Sequence, residues 1–142
     1  VAMQIKDCVN QAYETTLSEG IRFPLGVASA GLAILAFLPA NDVDAYLERS
    51  TEMRATHGAA HSARAVRTRI AETRDRGFAL NPGLLVQGSW GIGAAVFDHA
   101  GRPEWALSLT GVEFRFGPDR LPMLGRTLLS HAHRLTTLLA SR

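Results

Sequence analysis

The stretch FPLGVASAGLAILAFLP, residues 23–39, decides how the rest of the chain is read. Its first part, Gly26 to Gly31, consists of small residues. An unbroken apolar run, Leu32 to Leu38, follows, and Pro39 closes it. Leu32, Ala33, Leu35 and Ala36 favour helix, and Ser29 sits where an N-cap hydroxyl would accept a backbone N–H. A helix that is apolar on every side belongs in the interior. The expectation is a buried helix entered through a loop too small to crowd its neighbours. Backbone N–H groups at such a helix start form a socket for a carboxylate or phosphate. A tightly packed loop-to-helix junction accounts for the same residues equally well.

Composition narrows the class. The chain has 142 residues, 46% apolar and 20% charged, enough for one domain with a sizeable core. A net charge of +2 and a pI near 9.2 reflect a small surplus of arginine, not a basic tract, and argue little for nucleic acid. The single cysteine, Cys8, excludes an internal disulfide and any multi-cysteine zinc site, and suits a reducing cytoplasm. Leu32–Leu38 falls far short of the roughly 20 apolar residues that cross a bilayer, so no membrane partner is expected. No signal peptide is visible. The chain begins at Val1, without Met and inside a strand-like run, which points to a piece of a longer protein.

Upstream of the central stretch, Val1–Val9 alternates loosely and Tyr13–Leu17 carries two threonines, so both read as strands, the second ending at Gly20. Downstream, Asn41 or Asp42 is expected to cap a short helix from Val43 to about Arg49, and Ser50–Ala60 has no period and reads as loop. Ser62 opens a helix that runs to Arg76, where Gly77 stops it. Ala63, Val66 and Ile70 share one of its faces, and Arg64, Arg67, Arg69, Arg74 and Arg76 decorate the rest. With Glu72 and Asp75 as counter-charges and no base-reading side chains interleaved, this is a solvated face and not a DNA-reading helix.

Phe78–Leu80 reads as a short strand. Gly91–Asp98, the turn His99–Arg102 and Pro103–Thr110 form the clearest hairpin. Glycines in its first strand mark a bend or a close approach by a ligand. Gly117-Pro118-Asp119 is expected to start the last helix, with proline in the first turn. Leu121, Leu124, Leu128, Ala132, Leu135 and Leu139 give that helix one apolar stripe to lay on a sheet. The order β-β-α-α-α-β-β-β-α predicts an α+β fold, an antiparallel sheet with helices packed on it.

No catalytic set emerges. His131 and His133 are two apart on a helix and point in different directions, and His57 and His61 lack a nearby carboxylate, so no metal site is expected. Nucleophile-elbow, phosphate-loop and dinucleotide patterns are missing, so no cofactor is expected. What remains is a pocket. Ser29 and the N–H groups of Ala30 and Gly31, the small positions Gly91 and Gly93, and the hydroxyls of Ser108 and Thr110 can hold a ligand without reacting with it. Ordinary strand alternation facing solvent explains Ser108 and Thr110 as well. Phe23, Trp90 and Ile92 are candidates for an apolar wall. Without an arginine or lysine in these blocks, a monocarboxylate suits the pocket better than a phosphate.

PLGVASAGLAILAFLP, then TRDRGFALN, then GAAVFDHAGRPEWALSLTG resemble, in that order, the effector-binding domain of the isocitrate-lyase-regulator (IclR) family of bacterial transcription regulators. The resemblance implies one domain over residues 1–142, a curved antiparallel sheet with helices similar to the GAF and profilin folds. It also implies a small organic acid as effector, assembly as homodimer or homotetramer, and contact with DNA only through a preceding winged helix-turn-helix domain. Carried over by position, the ligand loop falls on Ser29, Ala30 and Gly31, and Asn81 stands where the family often has an acidic residue. Gly91 lies at the pocket end of its strand, and Ser108 and Thr110 match the paired small hydroxyls. Leu32 departs from a common lysine and Gly26 from a common histidine. The segment before Gly20 matches poorly. A small-molecule enzyme on a similar scaffold is the alternative, which turnover of a bound acid would reveal.

Overall fold

The computed structural model describes residues 23–141; the two strands expected before Gly20 lie outside them. The apolar run forms helix α1, Ser29–Ala36. Ala28, extended at φ −94° and ψ 161°, occupies the N-cap position, and Ser29 is already helical. Ser29 therefore does not cap, contrary to expectation, and its hydroxyl is free for other neighbours. Pro39 likewise takes the N-cap position of α2, Ala40–Arg49, which places Asn41 and Asp42 inside the first turn. There Asp42 meets the positive end of the helix dipole.

The stretch expected as loop holds a short helix, α3 (Thr51–Ala55), and a 3-10 turn, Ala59–His61. Hydrophobic periodicity cannot find them, because a buried arginine organises them. Arg54 donates from Nε to Ser50 Oγ, from Nη1 to the His61 carbonyl and from Nη2 to the Leu47 carbonyl. Helix α4 spans Ala63–Arg76, with Ser62 Oγ accepting from the Ala65 N–H at 3.2 Å. Gly77 ends it at φ 89°, a left-handed position that suits glycine.

Three strands follow, β1 (Ala79–Pro82), β2 (Ser89–Phe97) and β3 (Pro103–Val112), antiparallel in the order β1-β2-β3. After a 3-10 turn at Glu113–Phe116 comes α5, Leu121–Ala140. Gly117-Pro118-Asp119 lies in the turn ahead of it, where the Gly117 carbonyl accepts from both Arg120 and Leu121 at 2.9 Å. The proline in the first turn of α5 is Pro122, not Pro118.

Period two along β2 sorts the layers. Ala95 joins Leu32, Leu35, Val66 and Ile70 in a core shared with α1 and α4. Ile92 packs with Phe78, Phe116, Leu124 and Leu128, and Ala94 and Val96 pack with Ala132, all on the α5 side. A Cβ at Gly93 would stand 2.7 Å from the Ser29 carbonyl carbon, so glycine alone lets α1 rest on the strand backbone. Arg74 closes the other end of α1, donating from Nε to the Ala36 carbonyl and from Nη2 to the Leu38 carbonyl at 3.2 Å. Its guanidinium satisfies carbonyls that the helix end leaves open. Arg67 pairs with Asp44 at 2.8 Å, and Arg76 lies over the Phe78 ring. Three arginines of the basic helix thus serve the protein's own packing.

Candidate functional site

Strand register assembles the site. Asn81 pairs with Gly91, and Gly91 with Thr110, so these residues form one row across all three strands. The row faces the start of α1. Ser29 Oγ lies 3.1 Å, and Thr110 Oγ1 3.5 Å, from the point a Gly91 Cβ would occupy. Two hydroxyls that are 81 positions apart in sequence therefore converge over a residue without a side chain. Ser108 occupies the adjacent row opposite Gly93, on the same face. Both β3 hydroxyls are exposed, whereas Ser29 is only 5% exposed.

No side chain caps α1, so its first-turn N–H groups find no acceptor inside the helix. They are not equivalent. Ala30 N lies 3.0 Å from the position of a Gly93 Cβ and faces the sheet, while a Cβ at Gly31 would meet Leu25 at 3.2 Å. The loop before the helix is fixed by the Tyr46 hydroxyl, which accepts from the Leu25 N–H at 2.7 Å. Tyr46 escaped the sequence reading, since nothing around it signals a tie to position 25.

Asn81 is buried and uses both ends of its amide. Nδ2 donates to the Val27 carbonyl at 3.3 Å, and Oδ1 accepts from the Leu84 N–H at 2.9 Å. It joins the loop before α1 to the loop after β1. A carboxylate could not reproduce this, because it has no donor for Val27. The expected wall residues are divided between the faces. Trp90 and Ile92 point to the α5 side, where Ile92 is fully buried and Trp90 packs with Phe78 and Phe116, and Phe23 sets its ring 5.9 Å from that of His57. Register parity separates Ile92 from Gly91, and adjacent strand residues cannot share a face.

Elsewhere, His61 is fully buried, and burial first, then the charges of Arg69, His57 and Arg54, hold its pKa below the usual histidine value, with the Leu84 backbone opposing them. Among the described residues no group of three His, Cys, Asp or Glu side chains is placed to hold a metal ion, and no helix is long and apolar enough to cross a membrane.

The architecture around this row is that of an α+β domain, a three-stranded antiparallel sheet with helices packed on both faces. The chain belongs to the family described as bacterial transcriptional regulator IclR C-terminal, which matches residues 4–137. The HTH-type transcriptional regulator KipR of Bacillus subtilis is 29% identical over 105 residues, 74% of this chain and 42% of its own length. The transcriptional repressor IclR of Escherichia coli is 28% identical over 117 residues, 82% of this chain and 43% of its own. The chain thus spans less than half the length of the curated relatives it matches. Among solved structures, a transcriptional regulator from Rhodococcus sp. RHA1 superposes with a TM-score of 0.76 at 25% identity, covering 88% of this chain and 51% of that one. The C-terminal domain of the E. coli regulator KdgR gives 0.73 at 24% identity, covering 82% and 71%. The relatives are transcriptional regulators and repressors, not enzymes.

Proposed function

We propose that this domain senses a small organic acid for a cytoplasmic transcription regulator that assembles as a homodimer or homotetramer and touches DNA through a separate helix-turn-helix domain. The observation that carries the reading is the convergence of Ser29, Asn81, Gly91 and Thr110, with Ser108 beside them, at the uncapped start of α1. The carboxylate of the effector takes the helix start, and the β3 hydroxyls donate to it. None of these side chains carries a charge, so one anionic group is the most the pocket balances. Asn81 spans the two loops that border the row, and a ligand that shifts either loop is felt by both.

Calorimetry with a panel of aromatic and short aliphatic monocarboxylates tests this. A hydrogen bond to a charged group is worth about 1.5–3 kcal/mol, so Ser108→Ala should weaken binding roughly ten- to a hundredfold with the fold intact. Equal affinity for both proteins would move the site elsewhere. Turnover of the bound acid would overturn the sensing role.

A further inference from the structure

Pro24 to Val27 form the turn that leads into α1. Gly26 stands at φ 95°, a left-handed position, and the Val27 N–H donates to the Pro24 carbonyl at 3.2 Å. The turn lies against the head of the helix: a Cβ at Gly31 would meet the Leu25 Cα at 3.2 Å and the Gly26 nitrogen at 3.4 Å. A shift of this backbone therefore carries the first turn of α1 with it. Bonds from two distant elements hold the turn. Asn81 of β1 donates to the Val27 carbonyl at 3.3 Å, and the Tyr46 hydroxyl of α2 accepts from the Leu25 N–H at 2.7 Å. Asn81 belongs to the effector row, and Tyr46 lies outside it.

The helix that carries Tyr46 is lightly rooted. Its buried residues are Val43 and Leu47, and both ion pairs found among the described residues end on it. Asp44 meets Arg67 of α4 at 2.8 Å, and Asp42 meets Arg102 of the β2–β3 turn at 3.3 Å. These side chains are about half exposed, and ion pairs of that kind hold weakly. Arg49 lies over the Tyr46 ring, 4.9 Å from its centroid, and keeps the ring on the helix. A helix with little buried surface moves at low cost. One that grips the entrance of a binding row by a directional bond is suited to report on that row.

Resting on the effector reading of the row, we propose that Tyr46 is a positioning residue for it and that α2 registers its occupancy. The Tyr46–Leu25 hydrogen bond and a carboxylate at the start of α1 favour the same placement of the turn, so each stabilises the other. Linkage makes that coupling equal in both directions. Without the hydroxyl, the Leu25 N–H loses its acceptor, and the turn relaxes about Gly26 toward water.

The test uses the 142-residue chain and two variants. Tyr46→Phe keeps the ring beneath Arg49, and Asp44→Ala breaks the α2–α4 ion pair without touching the turn. Without ligand, amide exchange is read at Val27 and Leu32, whose N–H groups close the turn and the first helical bond, with β2 as the reference for global opening. Tyr46→Phe should speed both roughly three- to tenfold more than it speeds β2. Equal acceleration everywhere would reduce Tyr46 to general stability and overturn the proposal. Acetate, butyrate and benzoate are then titrated by calorimetry. Tyr46→Phe should weaken whichever acid binds by the same roughly three- to tenfold, and Asp44→Ala by less than about twofold. In the wild type that acid should slow exchange at Val43 and Ser50, whose N–H groups are bonded at the two ends of α2, and in Tyr46→Phe it should not. Equal affinity in wild type and Tyr46→Phe, or an equal loss in Asp44→Ala, would overturn the proposal. If none of the acids binds the wild type, the sensing role fails, and the exchange rates alone decide whether Tyr46 positions the turn.

Discussion

The two faces of the sheet are cut from the same strand and behave as opposites. Toward α5, β2 presents Ile92, Ala94 and Val96, which interlock with Phe78, Phe116, Leu128 and Ala132. Toward α1 it presents Gly91, under the Ser29 and Thr110 hydroxyls, and Gly93, where helix backbone stands in the place of a side chain. The first face stores stability in buried apolar volume. The second gives up volume so that a helix-start hydroxyl and a strand hydroxyl can meet over one row. One alternating strand therefore supplies both a face of interlocking apolar side chains and a face of glycines buried under a helix start, and a substitution should cost according to the face it changes.

The largest effect is expected on the closed face. Ile92 is fully buried, and Ile92→Ala should cost about 2–5 kcal/mol in urea unfolding, with effector affinity per folded molecule unchanged. On the other face, Gly93→Ala forces α1 off the strand, because the new methyl meets the Ser29 carbonyl. Overpacking of this kind costs about 1–3 kcal/mol, and here it should weaken binding as well. If Ile92→Ala weakened binding as much as Gly93→Ala, the separation of the faces would be broken.

Much of this arrangement was legible in the sequence, because its signals are local. The apolar run marks α1, the leucine spacing marks α5, and a turn between alternating segments marks the β2–β3 hairpin. The candidate residues Ser29, Gly91 and Thr110 were each visible as small or hydroxylated positions at element ends. Their meeting point was not, since it depends on register, and Trp90 and Ile92 show the consequence: both were assigned to the wall beside Gly91, yet both point to the other side of the sheet. Arg54 and Arg74 were invisible for a related reason. Each is a charged residue whose partners are backbone carbonyls, up to 38 positions away, and no sequence pattern marks a carbonyl as unpaired.

A smaller effect sharpens the contrast through pH. His61 belongs to neither face, and its pKa in the folded protein lies below the ordinary histidine value of about 6.5 because of burial and neighbouring cations. Below about pH 6.5 the unfolded chain therefore binds the proton more readily, so acidification should destabilise the fold down to the lowered pKa and have no effect through this group above pH 6.5. Melting temperatures between about pH 7 and pH 5.5 should fall less steeply for His61→Phe than for the wild type. The same slope in both would remove His61 as the cause.

The smallest change in stability, and the most telling for the site, is expected at Gly91. A Cβ there would lie 3.1 Å from Ser29 Oγ and 3.5 Å from Thr110 Oγ1, tight against one hydroxyl and in ordinary contact with the other. Both neighbours are ends of short side chains and can rotate, unlike the backbone carbonyl that blocks Gly93. Alanine also costs less conformational entropy than glycine in a strand, a gain of roughly 0.5–1 kcal/mol that offsets the crowding. Gly91→Ala should therefore unfold within about 1 kcal/mol of the wild type. Binding should respond differently, because the new methyl occupies the point on which the two hydroxyls converge. A carboxylate displaced from it loses at least one charge-assisted hydrogen bond, worth about 1.5–3 kcal/mol, or roughly one to two orders of magnitude in affinity. Calorimetry and urea unfolding on the same preparation read both quantities. A stable Gly91→Ala protein that still binds its acid at full strength would show that the row is packing alone, and that the glycines beneath α1 serve the helix and not a ligand.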